Sequence, residues 1–238
     1  MDYGDTYKDW KDWSDDSFGV LKNSDNAYFK AELGGISDSL SRDSQVLEIG
    51  YGSGLFLKYA RLQGWSILGV ETNELLHELA LKRGFKSILN KDIGELEGSV
   101  FDLVVVFDVI EHIPKSELAN FFKKVHSLLK PGGTFISRFP NGDSPFGLYN
   151  QHGDLTHQTH IGSQAIEFLA LEADFVIKSI RPAAEPIMTG STIVFAHRLI
   201  SRAIKFLLST VVRLIWYPKC NYVYFASNVI TTVLEKKD

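Results

Sequence analysis

Cysteine is almost absent from this sequence: Cys220 is the single one in 238 residues. One thiol excludes an intrachain disulfide and fits a reducing compartment. Net charge is also small, −4, with 25 Lys and Arg against 29 Asp and Glu. That balance gives no electrostatic reason to expect a nucleic-acid partner. The acidic first residues lack the apolar run of a secretory leader, so a cytoplasmic chain is expected. Internal repeats and low-complexity tracts are missing too. What the chain does have is 45% hydrophobic content, enough for the core of one large α/β domain with appendages.

The rest is organised around Val46-Leu47-Glu48-Ile49-Gly50-Tyr51-Gly52-Ser53-Gly54-Leu55-Phe56. A β-favouring run carries an acidic residue, three glycines follow at alternate positions, and a helical pattern then begins. Glycine permits a tight turn with positive φ and lets a ligand approach the main chain. The helix that follows points free N–H groups at whatever occupies the turn. The dinucleotide fingerprint needs glycine at position 55, which is Leu55, and no Lys-Ser or Lys-Thr pair follows for a P-loop. Glu48 would repel a phosphate and favours an amino or sulfonium cation.

Strand and helix patterns alternate from there. Strands are expected at Gln45–Ile49, Trp65–Val70, Lys86–Leu89, Phe101–Phe107, Thr134–Phe139 and Phe175–Ile180. Helices are expected over Leu55–Gln63, stopped by Gly64, after the cap Asn73, after Pro114 and after the cap Ser163. The pattern predicts an α/β, doubly wound, mostly parallel seven-stranded sheet in a single domain, 1–238. Residues 1–40 form an N-terminal extension. Its aromatic residues (Tyr3, Tyr7, Trp10, Trp13, Phe18) argue for a packed segment, a lid, rather than a disordered leader. The cofactor-binding core is 45–181, a helical insertion covers 187–219, and the final strand is expected at 221–234.

Carboxylates stand just after successive strands: Glu71, Asp92 and Asp108, the last beside Glu111-His112. At the end of the second strand Glu71 is placed to accept from ribose hydroxyls. Together with Gly69-Val70-Glu71, Lys91-Asp92-Ile93, Phe107-Asp108-Val109-Ile110-Glu111-His112-Ile113-Pro114 and Leu129-Lys130-Pro131-Gly132-Gly133, the glycine turn resembles the class I S-adenosylmethionine-dependent methyltransferases in order and spacing. The resemblance implies a Rossmann-like methyltransferase fold with S-adenosylmethionine as cofactor. It assigns the methionine part to Glu48, Gly50, Tyr51, Gly52 and Gly54, the ribose to Glu71 with Thr72, and the adenine to Asp92 with Ile93. Phe107 and Asp108 complete that site. Tyr51 stands where the family commonly has a small residue or Cys, and is expected to narrow the pocket.

Three of the seven histidines fall within Gln151–His160. One reading has this loop hydrogen-bonded to itself, since irregular backbone needs polar partners. A second is a metal site of His152, Asp154, His157 and His160, although the spacing matches no established ligand pattern. The third is general-base catalysis, with His157, His152 or His112 taking the proton of a hydroxyl acceptor and Asp154 fixing a tautomer. The run from Pro140 to His157 resembles methyltransferases associated with bacterial surface-polysaccharide assembly. That resemblance implies a sugar acceptor, in a cell-surface glycan or its lipid-linked precursor. A sugar acceptor is the expectation; the Asp-Val-Ile-Glu-His motif also resembles enzymes that O-methylate small phenols or quinones, the alternative, and a cofactor-binding protein without catalysis is the third class.

Between positions 198 and 217 the residues Arg198, Arg202, Lys205, Ser209 and Arg213 fall on one narrow helical stripe, and nearly everything else is apolar. The pattern suits a helix lying in a membrane surface at the inner face, helped by anionic lipids, with a core or homodimer-interface helix as the alternative. A spanning helix is disfavoured, because each cation would cost about 2.5 kcal/mol or more near the bilayer centre.

Overall fold

The computed structural model describes Lys11, residues 16–186 and residues 192–237. Its elements run α1 (Asn23–Leu33), α2 (Ile36–Ser39), β1 (Gln45–Ile49), α3 (Leu55–Gln63), β2 (Ser66–Glu71), α4 (Glu74–Lys82), β3 (Ile88–Asn90) and β4 (Phe101–Phe107). Then come α5 (Leu118–Leu128), β5 (Leu129–Pro140), α6 (Leu148–Gly153), α7 (Ser163–Glu172), β6 (Phe175–Pro182), α8 (Thr192–Trp216) and β7 (Val229–Lys236). Short 3-10 turns occupy Ile93–Glu95 and Ile110–His112.

The seven strands form one sheet in the order β3-β2-β1-β4-β5-β7-β6. Pairing is parallel from β3 to β5 and antiparallel where β7 inserts between β5 and β6. Successive side chains of a strand point to opposite faces. Leu47, Val104 and Phe135 therefore pack with Phe122 and Ile166 on one face. Val46, Val105 and Ile136 pack with Phe29 and Phe56 on the other. The strand order reverses between β1 and β4, and in open α/β sheets such a switch point opens a crevice at the carboxyl ends.

Local boundaries correct several expectations. Asn73 does cap α4, its side chain accepting from the Leu76 amide at 3.2 Å. Ser163 is no cap: Gly162 precedes the helix, and the Ser163 amide donates to Asp143. Pro131-Gly132-Gly133 does not precede β5 but lies within it, because Leu129 already pairs with Phe101 before an irregularity in the register. The final strand starts at Val229, not 221, since the chain from Tyr217 to Asn228 makes turns and backs the Asn141 side chain instead.

The described part of the N-terminal extension packs into the body. Phe18 is buried edge-on to Phe85, the Gly19 amide donates to the Ser53 carbonyl, and Phe29 of α1 sits against Phe56. Tyr3, Tyr7, Trp10 and Trp13 lie outside the described residues.

The inserted helix α8 lies with one side against the body. Its polar stripe faces the body: Arg198 donates to the Pro186 carbonyl, Lys205 pairs with Glu185 at 2.6 Å, and Ser209 accepts from the Ala226 amide. Its apolar face, with Ile200, Phe206, Leu207 and Leu214 each at least 60% exposed, points away from the chain. Among the described residues no helix is long and apolar enough to cross a membrane.

Candidate active site

At the switch point two cavities of about 730 and 830 Å³ lie side by side and share Gly50, Gly52, Asp108 and His112 as lining. The first runs under the ends of β2 and β3, past Glu71, Thr72, Asp92 and Ile93. The second is walled by Glu48, Tyr51, Phe107, Arg138, Asp154 and His157, together with parts of α1 and the β6 and β7 ends.

The glycine turn is built for close approach. Gly50, Gly52 and Gly54 all have positive φ, and a Cβ on Gly50 would meet Val109 at 2.4 Å. Gly54 lines neither cavity; it closes the turn under Phe18, 2.5 Å from where its own Cβ would stand. Tyr51 does not simply narrow the pocket. Its ring is buried edge-on to Phe18 and against Gly69, and its hydroxyl lies 3.2 Å from Nδ1 of His77.

Glu71 accepts from the amides of Gly52 (3.2 Å) and Asn73 (3.0 Å), which ties the turn to the head of α4. Burial nonetheless raises its pKa. Asp92 caps the 3-10 turn through the Gly94 amide at 2.7 Å, leaving the buried Ile93 beside the cavity. Glu48 is 5% exposed, and its Oε2 has no hydrogen-bond partner. Burial first, and then the nearby Glu71, push its carboxyl well above the usual range. A buried carboxyl with a spare oxygen beside a glycine cradle suits a cationic ligand, which would offset that cost. The amino and sulfonium groups of S-adenosylmethionine fit this description.

Asp108 occupies the fork between the cavities in the left-handed region, φ 57°. Register pairs Phe107 with Arg138 across β4 and β5, and the guanidinium grips the Asp108 carboxylate while also reaching the Tyr28 hydroxyl.

The histidine loop is held by its neighbours rather than by its imidazoles. The amides of Gln158 and Thr159 donate to the Glu111 carbonyl, and their side chains reach the carbonyls of His112 and Ile113. This brings His157 edge-on to His112, ring centroids 4.6 Å apart. His152 stands elsewhere: α6 turns it outward, exposed, against the exposed His160 at 5.0 Å. It lines neither cavity, so the expected catalytic role of His152 and the four-residue metal set both fail on placement.

Asp154 orients His112 rather than His157. The Asp154–His157 separation of 3.8 Å is too long for a hydrogen bond. Burial works against the Asp154 carboxylate, but hydrogen bonds from Thr156 and Lys11 hold it below the usual carboxylate range. It can then only accept, so the Thr156 hydroxyl donates to it at 2.5 Å. Thr156 Oγ1 in turn accepts from Nδ1–H of His112 at 2.9 Å, which makes Nε2 the basic nitrogen. Burial keeps both imidazoles below their usual pKa and therefore neutral near pH 7.

Glu111 was not expected as a site residue. It is 1% exposed, with Oε1 3.9 Å from Nε2 of His157 and Oε2 unpartnered. Burial, and then Asp108, hold its carboxyl well above the usual range. Its place directly before His112 was the only sequence signal. Arg138 and Tyr28 gave none, because strand pairing and the packing of α1 bring them to the fork.

Residues 25–180 match the family described as methyltransferase domain. A segment of 97 residues is 27% identical to the ubiquinone biosynthesis O-methyltransferase of Pseudomonas syringae pv. tomato, covering 37% of this chain and 41% of that protein. The chain thus spans less than half the length of this curated relative. A SAM-dependent methyltransferase from Archaeoglobus fulgidus superposes with a TM-score of 0.64 at 20% identity, over 89% of this chain and 94% of that one. The Burkholderia thailandensis 1,6-didemethyltoxoflavin-N1-methyltransferase, solved with 1,6-didemethyltoxoflavin and S-adenosylhomocysteine, gives 0.58 at 16% identity, over 99% and 84%. The family match takes in the glycine turn, every strand-end carboxylate and the histidine loop, well over half the chain, and the chain belongs to the class I S-adenosylmethionine-dependent methyltransferases.

Proposed function

We propose that this methyltransferase acts on an oxygen of a small hydroxylated ring compound that enters the second cavity. The observation that carries the reading is the meeting of the two cavities at Gly50, Gly52, Asp108 and His112, with neutral imidazoles on the acceptor side. S-adenosylmethionine, when bound, supplies a methyl group on a sulfonium. Glu71 and Asp92 would hold its nucleoside part in the first cavity, and Glu48 with the glycine turn would face its cationic part. Arg138 fixes Asp108 at the fork. The Asp154–Thr156 chain sets the tautomer of His112, leaving Nε2 as the basic nitrogen. Hydroxyl activation needs that lone pair, either as the proton acceptor or spent on a cation that acidifies the hydroxyl.

A phenolic acceptor is favoured by the aromatic walls, Tyr28, Phe107 and Tyr149 among them, and by the names of the curated relatives. A sugar hydroxyl is the second reading, favoured by the resemblance of the 140–157 segment to polysaccharide-associated enzymes. Methyl-labelled cofactor assayed against catechols, hydroxyquinols and glycosides separates the two. His157→Ala should lower turnover by about 10²–10⁴-fold while S-adenosylhomocysteine affinity stays within a factor of about two. Full turnover in both His157→Ala and His112→Ala would remove the cluster from catalysis.

We further propose that the outward face of α8 lies on an anionic membrane surface, bringing the acceptor cavity to lipid-soluble or lipid-linked substrates. That face is broad and apolar, and the helix carries basic but no acidic residues, as a helix lying on anionic lipid does. Trp216 and Tyr217, both exposed at its end, suit the headgroup level.

A further inference from the structure

Outside the glycine cradle, the densest group of potential ligand atoms among the described residues is Glu111, His112 and His157. One carboxylate oxygen and one nitrogen from each ring lie within 4.8 Å of one another. Three features separate this group from an ordinary buried polar cluster. Glu111 is almost fully buried, yet Oε2 has no hydrogen-bond partner. The Nε2 of His157 faces that carboxylate 3.9 Å from Oε1, too far for a hydrogen bond. Buried polar atoms are nearly always satisfied, so a carboxylate with a spare oxygen, facing an imidazole nitrogen beyond hydrogen-bond reach, points to a ligand between them. The third feature is His112, whose Nδ1–H is already engaged by Thr156, itself held by Asp154. A metal-bound histidine usually donates its other N–H in this way, fixing the ring and raising the basicity of the ligating nitrogen.

We infer that Glu111, His112 and His157 hold a divalent transition-metal ion at the mouth of the acceptor cavity. Two imidazoles and one carboxylate suit zinc, manganese, iron or cobalt better than calcium or magnesium. Three protein ligands leave further positions open, as in catalytic rather than structural sites. The inference deepens the hydroxyl-acceptor reading and rests on it for its purpose. An acceptor hydroxyl in an open position would lose its proton to solvent base at a lower pH, as zinc-bound water does with a pKa of about 7. His112 and His157 then serve as ligands, and Thr156 is a positioning residue.

The test starts from purified full-length protein stripped with chelator and dialysed. Zinc chloride and cobalt chloride are titrated separately, the first followed by calorimetry and the second by visible ligand-field absorption, in the presence of S-adenosylhomocysteine. One ion per chain is expected, with a cobalt spectrum that Glu111→Gln and His157→Ala abolish. Thr156→Val should weaken affinity by about 10–100-fold, the usual effect of losing such a partner. His152→Ala/His160→Ala, which changes the exposed pair, should bind as the parent does. Retained S-adenosylhomocysteine binding shows that each variant is folded. Absence of stoichiometric binding, or binding lost only in the His152/His160 variant, overturns the site. If methyl transfer to hydroxyl acceptors survives in protein that binds no metal, the metal fails and the acceptor reading stands. If the metal binds as described but only nitrogen or carbon acceptors are methylated, the site stands and the acceptor reading fails.

Discussion

Glu71 holds two amides, those of Gly52 and Asn73, so it shapes the glycine turn as well as facing the first cavity. Glu71→Ala is therefore expected to weaken S-adenosylhomocysteine binding by about 1.5–3 kcal/mol, the scale of a hydrogen bond to a charged group. Calorimetry checks this, and an unchanged affinity would show that the carboxylate has no part in the nucleoside site. Residues of this kind were legible beforehand because a strand end fixes their position: a carboxylate just after a parallel strand must face the crevice. The fork was not legible. Arg138 reaches Asp108 through strand register, and it reaches Tyr28 across 110 positions in sequence. His152 and His157 look alike in sequence. Only α6, which turns one of them outward, tells them apart.

Among the elements, the buried parallel strands were read most accurately, because short apolar runs such as residues 103–107, each ending at a glycine or a carboxylate, leave few alternatives. β3 was shifted, since Lys86 and Ser87 precede the paired residues and the strand is only three residues long. The amphipathic stripe of α8 was also plain in the sequence, but its orientation was not. Periodicity says which residues share a face and is silent on which face meets the body. Arg198 and Lys205 are engaged by the chain's own Pro186 and Glu185, and among the stripe's cations only Arg202 is exposed rather than half-buried. Membrane attachment through this helix should accordingly depend on apolar burial more than on charge. In liposome flotation, Phe206→Glu/Leu207→Glu is expected to abolish binding, while raising salt from low to physiological strength weakens it only a few-fold. Should the parent ignore liposomes and that double substitution split a dimer by light scattering, the helix is an oligomer interface.

At the scale of the molecule, the acceptor cavity is assembled from both ends of the chain. Tyr28 and Phe29 come from α1, and Ala183, Ala184 and Asn228 from the connections flanking β6 and β7. Glu32 joins these parts. It is fully buried in α1; its carboxylate accepts from the Thr231 hydroxyl on β7 and from the Ala184 amide, and Arg181 stands 3.5 Å away. Nothing in the sequence marked it, because its partners lie 149 to 199 positions downstream. Removing one member of a buried charged network leaves the others unsatisfied, which costs about 3–5 kcal/mol. Part-exposure of Arg181 lets water reach its guanidinium, so the lower end applies. Glu32→Ala should therefore destabilise the fold by about 3 kcal/mol in urea titration. Glu32→Gln, which keeps an acceptor for Thr231, should cost less. The effect should also reach the site unequally. Acceptor KM should rise in Glu32→Gln, since the Ala183–Glu185 wall loses its anchor. S-adenosylhomocysteine affinity should hold, since the first cavity draws on neither end. Equal loss of both, or no loss of stability in Glu32→Ala, would show that α1 is not coupled to the antiparallel edge through this carboxylate.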